Sequence, residues 1–174
     1  MTSETSELSI SKTNIKEEIF YEPFAEYLKS DLEDCTDAIP LGGSSFGDKW
    51  GTPDVIGIVK PSATDIIKEY ELTSAEIKSD TNSNSLITGF GQASAYKLFS
   101  HKVYLVIPEQ SNKIDIDRLE SLCCLFGIGL IIFDKNDSKN PDFKIRNKAN
   151  KISPDLFYLK QKMKHIADNK LIDL

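Results

Sequence analysis

The sequence predicts an α/β (α+β) architecture, a central mixed β-sheet flanked by helices. Three observations point there. Segments of strand length alternate with segments of helical period, in the order α–β–β–α–β–α–β–α. Two of the strands, at 102–108 and 128–134, flank a helix, which predicts parallel neighbours joined by a right-handed crossover. The chain has 174 residues, 40% of them hydrophobic, enough for one real core and too apolar for global disorder.

Each element has its own warrant. Residues 1–13 are polar, lack the apolar stretch of a signal peptide and read as a flexible tail. The rest, 14–174, reads as a single domain. Residues 14–34 predict a helix, with Ile15, Ile19, Phe20, Phe24, Tyr27 and Leu28 at helical spacing. Pro23 kinks or restarts it. "DAIPLGGSSFGDKWGTP" predicts a glycine-rich loop, and "DVIGIV" a short buried strand. "KPSATD" is a turn, and 66–78 reads as a second strand that alternates toward its end. Residues 85–100 predict a helix despite two glycines, because Leu86, Phe90, Ala93 and Leu98 share a stripe. "KVYLVIP" is a strand closed by proline. Residues 114–127 predict a helix ended by Gly127, and "IGLIIFD" another buried strand. The last helix covers 153–171, with Ser153 as N-cap and Pro154 at the first helical position.

Bulk properties exclude several classes. No window approaches the roughly 18 apolar residues of a membrane span. Cys35, Cys123 and Cys124 are odd in number, which predicts reduced core cysteines and a cytoplasmic chain. His101 and His165 show no zinc spacing. The net charge is −6, but residues 135–170 hold 10 basic against 4 acidic residues, while residues 1–134 hold 11 against 22. That basic third fits a phosphate backbone or a solvated lysine-rich helix equally well. Gly42 and Gly47 have the separation of a phosphate-binding loop, but Asp48 stands where the lysine belongs and no helix follows.

Ionisable groups converge elsewhere. Asp54 opens the first buried strand, and Glu76 and Lys78 lie near the end of the second. Residues two apart on a strand share a face. If the two strands pair as a hairpin, all three meet at one edge of the sheet. Two carboxylates so close resist joint ionisation, and a divalent cation reverses that cost. Asp54, Glu76 and the main-chain carbonyl of Ile77 would supply three corners of a Mg²⁺ shell. Lys78 would then orient the attacking water or stabilise developing charge. That layout suits hydrolysis of a phosphodiester. An ordinary surface ion pair between Glu76 and Lys78 is the competing reading.

Pro53-Asp54 followed by Glu76-Ile77-Lys78 resembles the PD-(D/E)XK nuclease superfamily, with its restriction-endonuclease-like fold and αβββαβ core. Gln92 and Tyr96, four apart on the next helix, face one way. They are similar to the Q-x-x-x-Y motif of the RecB-like branch. The resemblance covers roughly 15–108. It implies a Mg²⁺-dependent deoxyribonuclease in which Mn²⁺ substitutes, with DNA as partner and Gln92 and Tyr96 lining the site. It also implies an acid from the first helix, for which Glu17 lies nearer the apolar stripe than Glu18. Cutting both strands of a duplex would favour a homodimer or a larger DNA-processing complex. The alternative is a catalytically silent binding module on the same fold. Trp50, before the catalytic strand, either stacks on a base or covers the core edge.

Overall fold

The computed structural model describes residues 16–42, 46–47 and 50–174. A 3₁₀ turn, Glu17–Phe20, leads into α1, Tyr21–Ser30. Six strands follow: β1 Asp37–Pro40, β2 Val55–Val59, β3 Glu71–Ile77, β4 Lys102–Pro108, β5 Gly129–Phe133 and β6 Lys144–Asn147. Helix α2, Ser83–Tyr96, joins β3 to β4; α3, Lys113–Phe126, joins β4 to β5; α4, Leu156–Asp168, comes last. The expected tail and Ile15 lie outside the described residues.

The strands form one mixed sheet in the order β1-β2-β3-β4-β5-β6. β2 and β3 pair antiparallel, with Val55 opposite Ala75. β3, β4 and β5 run parallel, and β1 and β6 close the two edges antiparallel. The hairpin and the parallel pair expected from the sequence are both present. Each face of the sheet has its own core. Ile56, Leu72, Leu105 and Leu130 face α2, α3 and α4 through Leu86, Leu119 and Ile166. Val55, Ile77, Val106 and Phe133 face the 3₁₀ turn and α1 through Phe20, Phe24 and Leu28. Residues of opposite parity on a strand serve opposite cores, as the pleat requires.

Several boundaries differ from the sequence reading, each for a physical reason. The expected helix 14–34 splits into the 3₁₀ turn and α1, and Pro23 sits in the first turn of α1, where no intrahelical N–H is needed. Residues 37–40, expected in a loop, form β1 by pairing with β2, and Pro40 falls at the end of that edge strand. The second strand begins at Glu71, not at 66: Ile66 and Ile67 are exposed. β6 was not expected, because "KIRN" is polar and mostly exposed. The N-cap of α4 is Asp155 rather than Ser153. Its carboxylate accepts from the N–H groups of Phe157 and Tyr158 at 2.9 and 3.3 Å. Gly127 does end α3, with φ 66° in the left-handed region. Cys35 and Cys123 are buried as expected, whereas Cys124 is exposed. No helix among the described residues is long and apolar enough to cross a membrane.

Candidate active site

Asp54 stands at the mouth of β2 and is held by its neighbours. Its N–H donates to Ala75 O at 3.0 Å, and its carbonyl accepts from Leu41 N at 2.9 Å. The ladder therefore runs on past the strand end and fixes the Asp54 backbone. Its Oδ2 accepts from Ile77 N at 2.7 Å, which draws the carboxylate across to β3. Glu76 and Lys78 project from β3 toward α2, the face shared by Leu72 and Ser74. The Glu76 side chain is 2% exposed and Lys78 13%, with Lys78 Nζ 2.6 Å from Glu76 Oε1. At this burial the pair is no solvated surface bridge. Its members must be fully hydrogen-bonded, because an unpaired charge there costs several kcal/mol.

Tyr96 completes the set. From the last turn of α2 its hydroxyl donates to Glu76 Oε2 at 2.5 Å, and it lies 3.0 Å from Thr52 O. Both Glu76 oxygens are thus engaged. Glu17 arrives from the 3₁₀ turn. Its Oε2 accepts from Ser79 N at 2.9 Å, just past β3, and its Oε1 lies 3.5 Å from the Tyr21 hydroxyl. Glu18 is exposed. The structure therefore brings Glu17, Asp54, Glu76, Lys78 and Tyr96 together. Gln92 lies one turn before Tyr96 on the same helix. It lines a cavity with Trp50, and its Oε1 is buried without a hydrogen-bond partner.

Two participants escaped sequence reasoning. Tyr21 lies beside the acids, its hydroxyl 3.5 Å from Glu17 Oε1, and burial and then the charges of Asp54, Glu17 and Glu76 push its phenol up; the only sequence signal was its place one helical turn after Glu17. Gly89 faces Lys78: a Cβ there would stand 2.8 Å from Lys78 Cγ and 3.2 Å from Leu105 Cδ1. The glycine that weakens α2 by propensity is what lets the lysine stem lie across it.

The electrostatics follow from this geometry. Burial and then the neighbouring Glu76 charge push Asp54 up to about 7, against the pull of the Tyr21 and Ile77 donors. Glu76 is also raised, mainly by burial, although Lys78 and Tyr96 oppose the shift. Burial pushes Lys78 down, but Glu76, Glu17 and Asp54 outweigh it, so Lys78 is raised and keeps its proton. Three carboxylates face one ammonium, and the site is short of positive charge.

Among the described residues no group of three or more His, Cys, Asp or Glu side chains is placed to hold a metal ion. The donor chemistry still fits a hard divalent cation. The two central acids offer only oxygen, and their raised pKa values mark the deficit that such a cation would relieve.

Tyr96→Phe removes the hydroxyl and leaves a buried carboxylate oxygen short of a donor. The expected loss is about 1–3 kcal/mol of stability, read as a lower urea midpoint at unchanged slope.

No protein-family profile matches the chain, and no curated protein matches it.

Proposed function

We propose that this chain is a metal-dependent nuclease that hydrolyses phosphodiester bonds, DNA foremost, on a restriction-endonuclease-like core. The observation that carries the reading is the joining of Asp54, Glu76 and Lys78 in one buried, cation-poor site. The element order from α1 through β1, β2, β3 and α2 to β4 supports the fold assignment. A cytoplasmic location belongs to the same reading.

Asp54 and Glu76, with the Ile77 carbonyl, would hold Mg²⁺ or Mn²⁺. When bound, the cation would supply a water of lowered pKa and neutralise charge on the phosphate. The chain's own residues do the rest. Lys78 holds its proton, so it acts as a donor to the attacking water or a phosphate oxygen and not as the general base. Tyr96 fixes the Glu76 carboxylate from behind, and Ile77 N–H does the same for Asp54. Glu17, anchored on Ser79 N–H, would orient a bridging water.

One observation favours a second reading, a catalytically silent binding module. Both Glu76 oxygens are already taken by Lys78 and Tyr96. A cleavage assay at low salt on linear, circular and branched DNA separates the two, with Mg²⁺, Mn²⁺ or chelator and the Glu76→Ala protein in parallel. Metal-dependent cutting lost in the variant supports the nuclease. No cutting on any substrate, with no metal uptake by calorimetry, supports the silent module.

Gly89 offers a test that spares every ionisable group. In Gly89→Ala the new methyl displaces the Lys78 stem. Cleavage should fall by up to about a hundredfold, the cost of an ångström-scale misplacement. Circular dichroism should show α2 intact, since alanine is the better helix former.

A further inference from the structure

The pair of Lys78 and Glu76 sets two roles of the site against each other. Glu76 Oε1 holds the Lys78 ammonium at 2.6 Å, and Oε2 accepts from the Tyr96 hydroxyl at 2.5 Å. These two contacts bear differently on a divalent cation. An oxygen that accepts from a neutral hydroxyl has a second lone pair to offer. An oxygen that holds an ammonium brings a charge of the metal's own sign to within contact distance. In a buried site that repulsion is poorly screened. Lys78 and a metal on Glu76 therefore exclude one another.

The donors around the acids differ in their freedom to leave. Ile77 N–H and Ser79 N–H, which hold Asp54 and Glu17 at 2.7 and 2.9 Å, are main-chain groups at the end of β3. Tyr96 is fully buried in the last turn of α2. Lys78 is fixed only at its backbone, where its N–H donates to Val106 O at 2.9 Å. Its ammonium ends a flexible four-carbon stem. The stem lies against Gly89, which has no side chain to hold it. With 13% of its side chain exposed against 2% for Glu76, Lys78 is the member of the pair that reaches solvent. Rotation about the stem alone takes the charge off Glu76, with no change of fold.

We propose that Lys78 is the resting counter-ion of this site, and that its ammonium leaves Glu76 when a divalent cation binds there. The proposal rests on the metal-dependent reading of the site. The same side chain then blocks Glu76 at rest and, once displaced, becomes the donor that the hydrolysis needs. In a silent module the pair would stay closed.

Lysine labelling reads the release directly, without any cleavage. The full chain is reductively methylated in chelator and in saturating Mn²⁺, with no nucleic acid present. Peptide mass spectrometry follows each lysine, and calorimetry gives the Mn²⁺ affinity. Lys78 should react about tenfold faster with Mn²⁺, because labelling tracks the fraction of Lys78 that is unpaired. Lys102, held by Asp34 at 2.8 Å at the other end of β4, should not change. Glu76→Gln should abolish the Mn²⁺ response. Wild-type affinity is lowered by the fraction of time the pair is closed, so Lys78→Met should bind Mn²⁺ about tenfold more tightly, a coupling of ordinary size. Mn²⁺ uptake by wild type with unchanged Lys78 labelling overturns the exchange and leaves the metal site standing. Equal or weaker Mn²⁺ binding by Lys78→Met also overturns it. No Mn²⁺ uptake by either protein overturns the metal-dependent reading, and the exchange with it.

Discussion

Glu76→Gln protein should cleave DNA at least about a thousandfold more slowly than wild type while keeping its fold. The substitution is nearly isosteric. A glutamine oxygen still accepts from Lys78, and its amide still meets the Tyr96 hydroxyl, so the hydrogen bonds that knit β3 to α2 survive. What disappears is the negative charge that would bind the cation and oppose the ammonium. Losing a preorganised electrostatic element of this kind lowers turnover by about 10² to 10³, and losing the metal with it lowers turnover further. Lys78→Met should match the loss of rate but not the retention of stability. It leaves Glu76 charged, buried and supported by Tyr96 alone, at a cost of about 3–5 kcal/mol. Thermal unfolding in chelator beside single-turnover cleavage separates these effects. Wild-type rates in both variants would remove the active-site assignment.

The second large effect concerns pH. Metal-free wild type should lose stability between about pH 4 and pH 7, and Asp54→Asn should lose less. The direction follows from proton binding. In the unfolded chain Asp54 releases its proton near the ordinary value of 3.8, whereas the folded chain holds it to about 7. Between those values the folded state binds more protons, so raising the pH favours unfolding. The contribution is complete below pH 3.8, falls through the window and is gone above 7. Glu76, raised by burial, adds in the same sense. The total is on the order of a few kcal/mol. Asparagine carries no charge into the site, so Asp54→Asn should be the more stable protein at pH 8 in chelator. Mn²⁺ should invert the order, because it binds the ionised pair and stabilises only the protein that has one. Melting curves of both proteins at pH 5 and pH 8, with Mn²⁺ and with chelator, decide this. Parallel pH slopes in chelator would mean that Asp54 is not strained in the folded state.

Much of this was legible in the chain. β4 was placed to the residue, because an unbroken apolar run closed by proline has one reading. α3 ended where Gly127 alone accepts a left-handed backbone. Asp54, Glu76 and Lys78 were legible because strand periodicity aims Glu76 and Lys78 together, and pairing with β2 brings up the third. Glu17 was distinguished from Glu18 by its place on the helical wheel. The misses share a cause. β1 and β6 are strands by virtue of their partner, with no strong pattern of their own, and a one-chain reading sees only a loop. Tyr21 lay outside the apolar stripe read for the first helix and drew no attention. Gly89 looked like a defect in α2, and only the path of Lys78 explains it. Gln92 and Tyr96 share a face, but one turn is 5.4 Å of travel. Tyr96 meets Glu76, and Gln92 lines a cavity with Trp50.

The two strands hidden from the sequence are also the sheet's only borders, and this bears on how copies of the chain can associate. An exposed border invites backbone pairing with a second molecule, the route to ribbons and fibrils. Here β1 carries Asp37 and terminates at Pro40, and β6 presents Lys144 and Arg146 with a bulge in its register. Charge, proline and bulge all discourage sheet extension. Contacts between copies, if they form, would fall on helical or loop surfaces and not on the sheet borders. The exposed Ile87, Leu125 and Phe126 of α2 and α3 are the places to begin cross-linking.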